Sequence, residues 1–340
     1  MTDVLQDRHG PLPRIGPHTL TGRVILSPMA GITDAPFRRL ARGFGASLAA
    51  SEMTTADTSL WHTAKSSHRL DIDTDATPRV VQIAGSEPQA MAAAAEAVVA
   101  RGADIVDINM GCPAKKVCKK LAGSALLQDE ELVASILLAV VQAVPVPVTL
   151  KPRLGWDREH ENIMTIAQIA EDAGIQALAI HGRTRACKYG GQARYELIGR
   201  VKERLNIPVF ANGDIQSAEK AQRVLEETGV DGLLIGRATQ GRPWILRDIS
   251  RFVAHGNKAD PLSPEQTRAM IHGHLDAVHQ FYGEHKGVLM ARKHLNWYCQ
   301  QLEIADSTRR ALLALPSPAS QRDFAAQVFS AWASAQCAAA

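Results

Sequence analysis

Residues 105–127 read IVDINMGCPAKKVCKKLAGSALL, and the rest of the chain can be laid out from them. The apolar run 105–108 has the length and composition of a buried strand. It stops at Asn109-Met110-Gly111-Cys112-Pro113, where Gly111 tolerates unusual dihedrals and Pro113 cannot continue a ladder. Lys115, Lys116, Lys119 and Lys120 follow, and a helical pattern begins near Ala122. A thiol thus sits where a strand ends and a basic loop begins. A small core cysteine beside a solvated charge run would read the same way.

Outward from this unit, the same order recurs. Apolar β-rich runs fall at 24–27, 47–51, 79–83, 105–108, 147–150, 177–180, 208–211 and 232–235. Amphipathic stretches between them include 35–43, 88–101, 128–143, 163–173, 195–205 and 218–228, and Gly102, Gly174 and Gly229 sit where C-caps belong. The runs are continuously apolar rather than alternating, as strands covered on both faces require. Eight strand-then-helix units predict a TIM (β/α)8 barrel, and no GxGxxG follows a strand to suggest a doubly wound sheet. Beyond about residue 247 the β-rich runs stop. Stretches 264–283, 286–303, 307–313 and 320–334 predict a small all-α domain, and the last eight residues are expected to fray. The expected organisation is a loose leader over 1–19, a barrel over 20–250 and a helical domain over 260–334.

The composition suits a soluble globular protein: 46% hydrophobic residues and a net charge of +3. That charge is too small to argue for nucleic acid by itself. Five scattered cysteines support neither a disulfide framework nor a zinc site, and His272 and His274 on one helix are not expected to hold metal. The first residues carry no signal peptide, and no apolar run is long enough to cross a membrane. A cytoplasmic protein is expected, a monomer with no obligate protein partner.

In a TIM barrel the site forms at the C-terminal ends of the strands. Those ends carry Pro28, Met29 and Ala30; Gln82; Asn109 and Cys112; Lys151 and Arg153; His181, Arg183 and Arg185; Asn212, Gly213 and Asp214; Gly236 and Arg237. Packing alone does not place a polar group at nearly every strand end. Lys188 and the four lysines after Cys112 add to a rim whose acids are few, which suits a phosphate-bearing cofactor and a polyanionic substrate. The turns after the seventh and eighth strands, with Arg237, fit a phosphate pocket. The stretch Pro28-Met29-Ala30-Gly31 lets a flat ring lie against the backbone where a large side chain would block it. Lys151 is positioned to offset negative charge on that ring, or to pair with a barrel acid.

With these residues assembled, the chain resembles the tRNA-dihydrouridine synthases, most closely the bacterial B subfamily. The segments that carry the resemblance are PMAGITDAPFR (28–38), VQIAGSEP (81–88), DINMGCPAKKV (107–117), VTLKPRLGW (148–156), IHGRTR (180–185), ANGDI (211–215), IGRATQGRPWI (235–245) and ARKHLNWY (291–298). The resemblance implies an FMN barrel followed by a helical tRNA-recognition domain. It puts the catalytic cysteine at Cys112. It puts FMN contacts at Pro28, Met29, Ala30, Gln82, Lys151, His181, Asn212, Gly213, Asp214, Gly236 and Arg237. Cys118 lies outside the family motif.

The implied reaction is reduction of the uracil C5–C6 bond in tRNA, with hydride from reduced FMN to C6, a proton from Cys112 to C5, and NADPH as transient reductant. Cations near Cys112 would lower its pKa toward the poorly acidic thiolate. A donor role then requires those lysines to be engaged by tRNA phosphates. Asn109 and Arg153 are candidates to read the uracil edge, Arg183 and Arg185 to hold phosphates. Lys286, Arg292 and Lys293 lie on one expected helix with Trp297, a pattern suited to an RNA backbone. A flavin barrel acting on a free pyrimidine, as dihydroorotate dehydrogenases do, and a non-catalytic flavin-containing RNA-binding protein remain open as alternatives.

Overall fold

The computed structural model describes residues 8–118 and 121–339. Packing divides the chain into two units, Met1–Gly236 with Ile245–Asn257, and Arg237–Trp244 with Lys258–Ala340.

The first unit opens with a feature the sequence does not announce. Strands β1 (Arg14–Ile15) and β2 (His18–Thr19) pair antiparallel inside what reads as a loose leader. Ile15 and the adjoining Leu20 are buried among Ile25, Val80, Ile105, Phe210 and Leu234, so this hairpin belongs to the apolar core of the barrel interior. Two-residue strands carry no periodicity, which is why the pattern missed them.

The remaining strands are β3 (Val24–Leu26), β4 (Thr54–Thr55), β5 (Val80–Ala84), β6 (Ile105–Met110), β7 (Val148–Pro152), β8 (Ala177–His181), β9 (Val209–Asn212) and β10 (Gly232–Ile235). All pair in parallel in the order β3-β10-β9-β8-β7-β6-β5-β4. The expected second strand at 47–51 is only a pair of bridges, Leu26 to Ala49 and Ala50 to Val80, but those bridges close the ring between β3 and β5. The expected TIM barrel is the observed fold.

Helices run outside the ring between strands. Helix Ala35–Gly43 is capped by Asp34, whose side chain accepts from the Phe37 amide, and Ala218–Thr228 ends on Gly229 in the left-handed region. The helical start expected near Ala122 is a 3-10 turn, Gly123–Gln128; the α-helix begins at Glu130, where Asp129 caps it. The basic loop is partly a short helix, Lys115–Cys118.

The second unit is helical. Pro264–Gln301 starts in a capping box formed by Ser263 and Gln266 and breaks at Gly283, whose φ of 74° and ψ of −177° lie outside the helical region. The two halves fold back on each other, with the His274 and His294 rings 4.6 Å apart between centroids. This is the expected pair of helices meeting near 283–286. Asp306–Ala314 and Pro318–Ala339 complete the unit around Ile271, Leu295, Leu312 and Phe329. The last helix continues through residues expected to fray. Among the described residues no helix is long and apolar enough to cross a membrane.

Candidate active site

Cys112 sits on a loop held from three sides. From below, Asn109 Oδ1 accepts from the amides of Gly111 at 3.2 Å and Cys112 at 3.0 Å. From the flank, Arg153 Nε donates to the Gly111 carbonyl at 2.6 Å. From the far side, the Cys112 carbonyl accepts from the Ser124 amide at 3.2 Å and the Ser124 hydroxyl at 2.8 Å. Gly123 adopts a φ of 63°, and a Cβ there would lie 2.9 Å from the Cys112 carbonyl oxygen. Only glycine lets the 3-10 turn come this close.

The thiol is half-buried, and burial pushes its pKa up from the ordinary value. A hydrogen bond from the Ala114 amide and the charges of Arg153 and Arg69 oppose the rise without cancelling it. The expected depression toward thiolate is therefore reversed: desolvation outweighs the described cations. Buried Cys118 lies against the same loop, its Sγ 3.6 Å from the Cys112 carbonyl oxygen.

Lys151 is buried in the barrel interior, where its Nζ donates to Asn212 Oδ1 at 3.0 Å. Burial pulls its pKa down to about 8, opposed by the charge of Asp107 and helped by that of Arg153. Both sequence readings of Lys151 thus have a counterpart, since a barrel acid lies near it and its ammonium faces the interior. A cavity there is lined by Lys151, Asp107 and Thr149 together with Pro28, Ala179 and Phe210. Asn212 donates in turn to the Leu234 carbonyl at 2.8 Å. Gln82 is buried between Asn109 and Asp107, bonded to both.

On the β8–β9 side, Gly213 has a φ of 122°, and a Cβ there would meet Ala193 Cβ at 2.8 Å and His181 Cδ2 at 3.1 Å. Asp214 accepts from Arg183 at 2.6 Å and from the Ala193 amide at 2.8 Å. Pro28 and Met29 are half-buried and Ala30 is exposed; Gly31 is anchored by Glu52, which also pairs with Arg69 at 3.2 Å. A Cβ at Gly236 would meet nothing closer than 3.6 Å.

The arginines differ from their expected roles. Arg183 is 3% exposed and donates to the carbonyls of Gly190 and Gly191 as well as to Asp214. Arg153 is 1% exposed and donates to the carbonyls of Gly111, Thr184 and Lys188. Both brace loops, which leaves little of either fork for a phosphate or a base edge. Arg185 stacks its guanidinium 4.1 Å over Trp156. Lys115 and Lys116 are exposed, while Lys119 and Lys120 lie outside the described residues.

Arg237 opens the 3-10 turn Arg237–Thr239 and packs with the second unit. In that unit Lys286 lies over the Tyr282 ring at 4.8 Å, Arg292 donates to the Leu315 carbonyl at 3.3 Å, and Lys293 approaches Met290 Sδ at 3.7 Å. The sequence reading passed over Asp107, Thr149 and Ser124. The signal for the first two was present: an acid and a hydroxyl inside strands whose neighbouring residues are apolar, Val106 and Ile108 in β6 and Val148 and Leu150 in β7.

The eight-stranded parallel barrel thus carries a half-buried thiol just past the end of β6 and a buried lysine on the neighbouring β7, at the strand ends where enzymes of this fold hold their sites. The chain belongs to the dihydrouridine synthase (Dus) family, whose model matches residues 25–333. It is 57% identical over 289 residues to tRNA-dihydrouridine synthase B of Pseudomonas aeruginosa, covering 85% of this chain and 87% of that protein. It is 53% identical over 310 residues to tRNA-dihydrouridine synthase B of Vibrio cholerae, covering 91% and 96%. It is 57% identical over 287 residues to that of Xanthomonas axonopodis pv. citri, covering 84% and 86%.

Proposed function

We propose that this chain is an FMN-dependent tRNA-dihydrouridine synthase of the B type, with the barrel as its catalytic part and the helical unit reading the tRNA. The observation that carries the mechanism is the half-buried Cys112 thiol just past the end of β6, where burial raises its pKa and so favours the protonated form.

The residues suit FMN. Ala30 and Gly31 leave backbone for a flat ring, and the buried Lys151 ammonium can balance charge beside it. Gly236 follows β10 beside Ser27 and Met29, where its backbone is the group assigned to a phosphate. When bound and reduced by NADPH, FMN would supply hydride to C6 of an extruded uracil. That addition leaves an electron pair shared between C5 and O4. Cys112 gives its proton to C5 and becomes a thiolate, which solvent reprotonates afterwards. The uracil must leave its stack to reach the barrel mouth.

Asn109 bonds Gln82 through one amide hydrogen and the thiol loop through its oxygen. Its second amide hydrogen is the group we assign to the uracil edge. Arg153 and Arg183 act as braces rather than contacts. Lys115, Lys116, Lys119, Lys120 and Arg185 are assigned to tRNA phosphates, and Lys286, Arg292 and Lys293 to the tRNA backbone.

The test is turnover of the holoenzyme with NADPH on tRNA from a strain lacking the gene, read by mass spectrometry of nucleosides. Dihydrouridine in tRNA and none from free uridine or orotate is expected. Turnover of the free pyrimidines without tRNA would replace this reading with that of a small-molecule reductase.

A further inference from the structure

We propose that Asp107 is a positioning residue for the thiol: its carboxylate fixes the donor–acceptor direction of a buried amide relay that ends on the backbone amides of the Cys112 loop. The inference rests on the proposed role of Cys112, but its geometry stands apart from it.

Asp107 points into the barrel from the middle of β6, where Val106, Ile108 and Met110 are all apolar. Burying a carboxylate there is costly unless both oxygens are satisfied. Both are. Thr149 Oγ1 donates to Oδ1 at 2.7 Å, and Gln82 Nε2 donates to Oδ2 at 2.6 Å. The strand register explains the meeting, because Asp107 is paired with Gln82 on β5 and with Thr149 on β7. Burial raises the Asp107 pKa, while the hydrogen bonds from Gln82 and Thr149 and the charge of Lys151 favour the ionised form. An ionised carboxylate accepts only, so Gln82 turns its amino group toward Asp107 and its oxygen away. That oxygen accepts from Asn109 Nδ2 at 2.8 Å. Asn109 must then turn its own oxygen toward the loop, where it meets the Gly111 and Cys112 amides.

Each amide has two orientations of nearly equal shape, and only one of them gives the loop an acceptor. Asp107, Gln82 and Asn109 are 6%, 1% and 8% exposed, so the protein rather than water decides the direction. No atom of Asp107 needs to touch substrate for this.

The experiment exchanges the two ends of the relay. In Asn109→Asp, two acceptors face each other at Gln82, which must reverse and bring its oxygen against Asp107. In the double variant Asp107→Asn with Asn109→Asp the whole relay can run backwards. The carboxylate at 109 then accepts from the loop and from Gln82, and the amide at 107 donates to Gln82 while accepting from Thr149. The readout is the rate at which iodoacetamide alkylates Cys112 in the holoenzyme, resolved by peptide mass spectrometry, beside kcat on tRNA.

Asn109→Asp leaves the loop an acceptor but sets acceptor against acceptor within the relay and so displaces it. One such unrelieved clash is worth roughly tenfold, and the variant is expected to raise the alkylation rate about tenfold and to lower kcat by at least a similar factor. The exchange variant is expected to restore alkylation to near the unmodified rate. A folded exchange variant that alkylates as fast as Asn109→Asp overturns the proposal. If either variant fails to fold, Asp107→Asn is read alone. With the direction no longer imposed, its alkylation rate is expected to rise several-fold, and an unchanged rate in folded protein overturns the proposal equally. Alkylation needs no tRNA. Normal restoration of alkylation with no turnover in any variant, the unmodified protein included, would indict the proposed function instead.

Discussion

At the scale of the residue, the decisive quantity is the protonation of Cys112. A thiol must hold its proton to give it to carbon, and a neighbourhood of cations works against that. Burial decides the matter, because the loop that carries the thiol turns it inward and the cations that reach it, Arg153 and Arg69, are outweighed. The consequence is a pH dependence. Since burial raises the pKa above the ordinary thiol value of about 8.5, the protonated fraction stays near one through neutral pH and falls only above that value. The rate constant for the step that uses the proton, measured in single turnover from about pH 6 to about pH 10, is expected to be flat up to about 8.5 and to fall beyond it. A decline centred near pH 7 would mean a depressed thiol.

At the scale of the element, the unit that matters is β6, the thiol loop and the 3-10 turn Gly123–Gln128. Gly123 is its tightest point. A Gly123→Ala substitution would press a Cβ 2.9 Å from the Cys112 carbonyl oxygen, on a backbone with φ of 63°. It is expected to cost about 1–3 kcal/mol, seen as a lowered Tm, and to reduce turnover by moving the thiol. Unchanged stability and activity would show that the turn does not hold the loop.

The strands of the barrel were legible because burial on both faces leaves unbroken apolar runs, and the rim was legible because a barrel puts its site at strand ends. What was not legible depended on partners far away in sequence. Gln82 and Thr149, 25 and 42 residues from Asp107, meet it only through the strand register. Arg183 read as a phosphate contact because its enclosure by Gly190, Gly191 and Asp214 appears only after the loop folds over it. The ring's closure at 49–50 was read as a full strand, since the composition of 47–51 cannot distinguish two bridges from a ladder.

At the scale of the molecule, each unit makes its own prediction. In the helical unit, His274 and His294 are buried against each other, and His274 is held near the Tyr298 hydroxyl at 2.8 Å. Burial pushes the pKa of His274 down to about 3 and that of His294 well below the ordinary value. Their folded pKa values are depressed, so their contribution is intact above the unfolded value near 6.5 and is lost as pH falls toward 3. Between pH 6.5 and 5 the loss is about 1.6 kcal/mol for His274, and His294 adds a loss of the same sign. Denaturant titration of the intact protein, followed by tryptophan fluorescence, is expected to show that loss for the transition of this unit, and His274→Gln to flatten it. A stability independent of pH over this range would contradict the burial.

In the barrel unit, the exposed Lys115 and Lys116 are assigned to phosphates. Changing both to Glu is expected to weaken tRNA binding and to lower the slope of log K against log salt by about one to two units. Unchanged affinity and slope would place the tRNA elsewhere.

The central claim is that Cys112 supplies the proton that completes uridine reduction. It is tested most directly with Cys112→Ala loaded with FMN and supplied with NADPH and tRNA lacking dihydrouridine. The account expects a yellow protein whose flavin is reduced by NADPH as in the unsubstituted enzyme, with dihydrouridine formation reduced by at least a hundredfold, the usual range for a general acid. Dihydrouridine formed at the unsubstituted rate would contradict it.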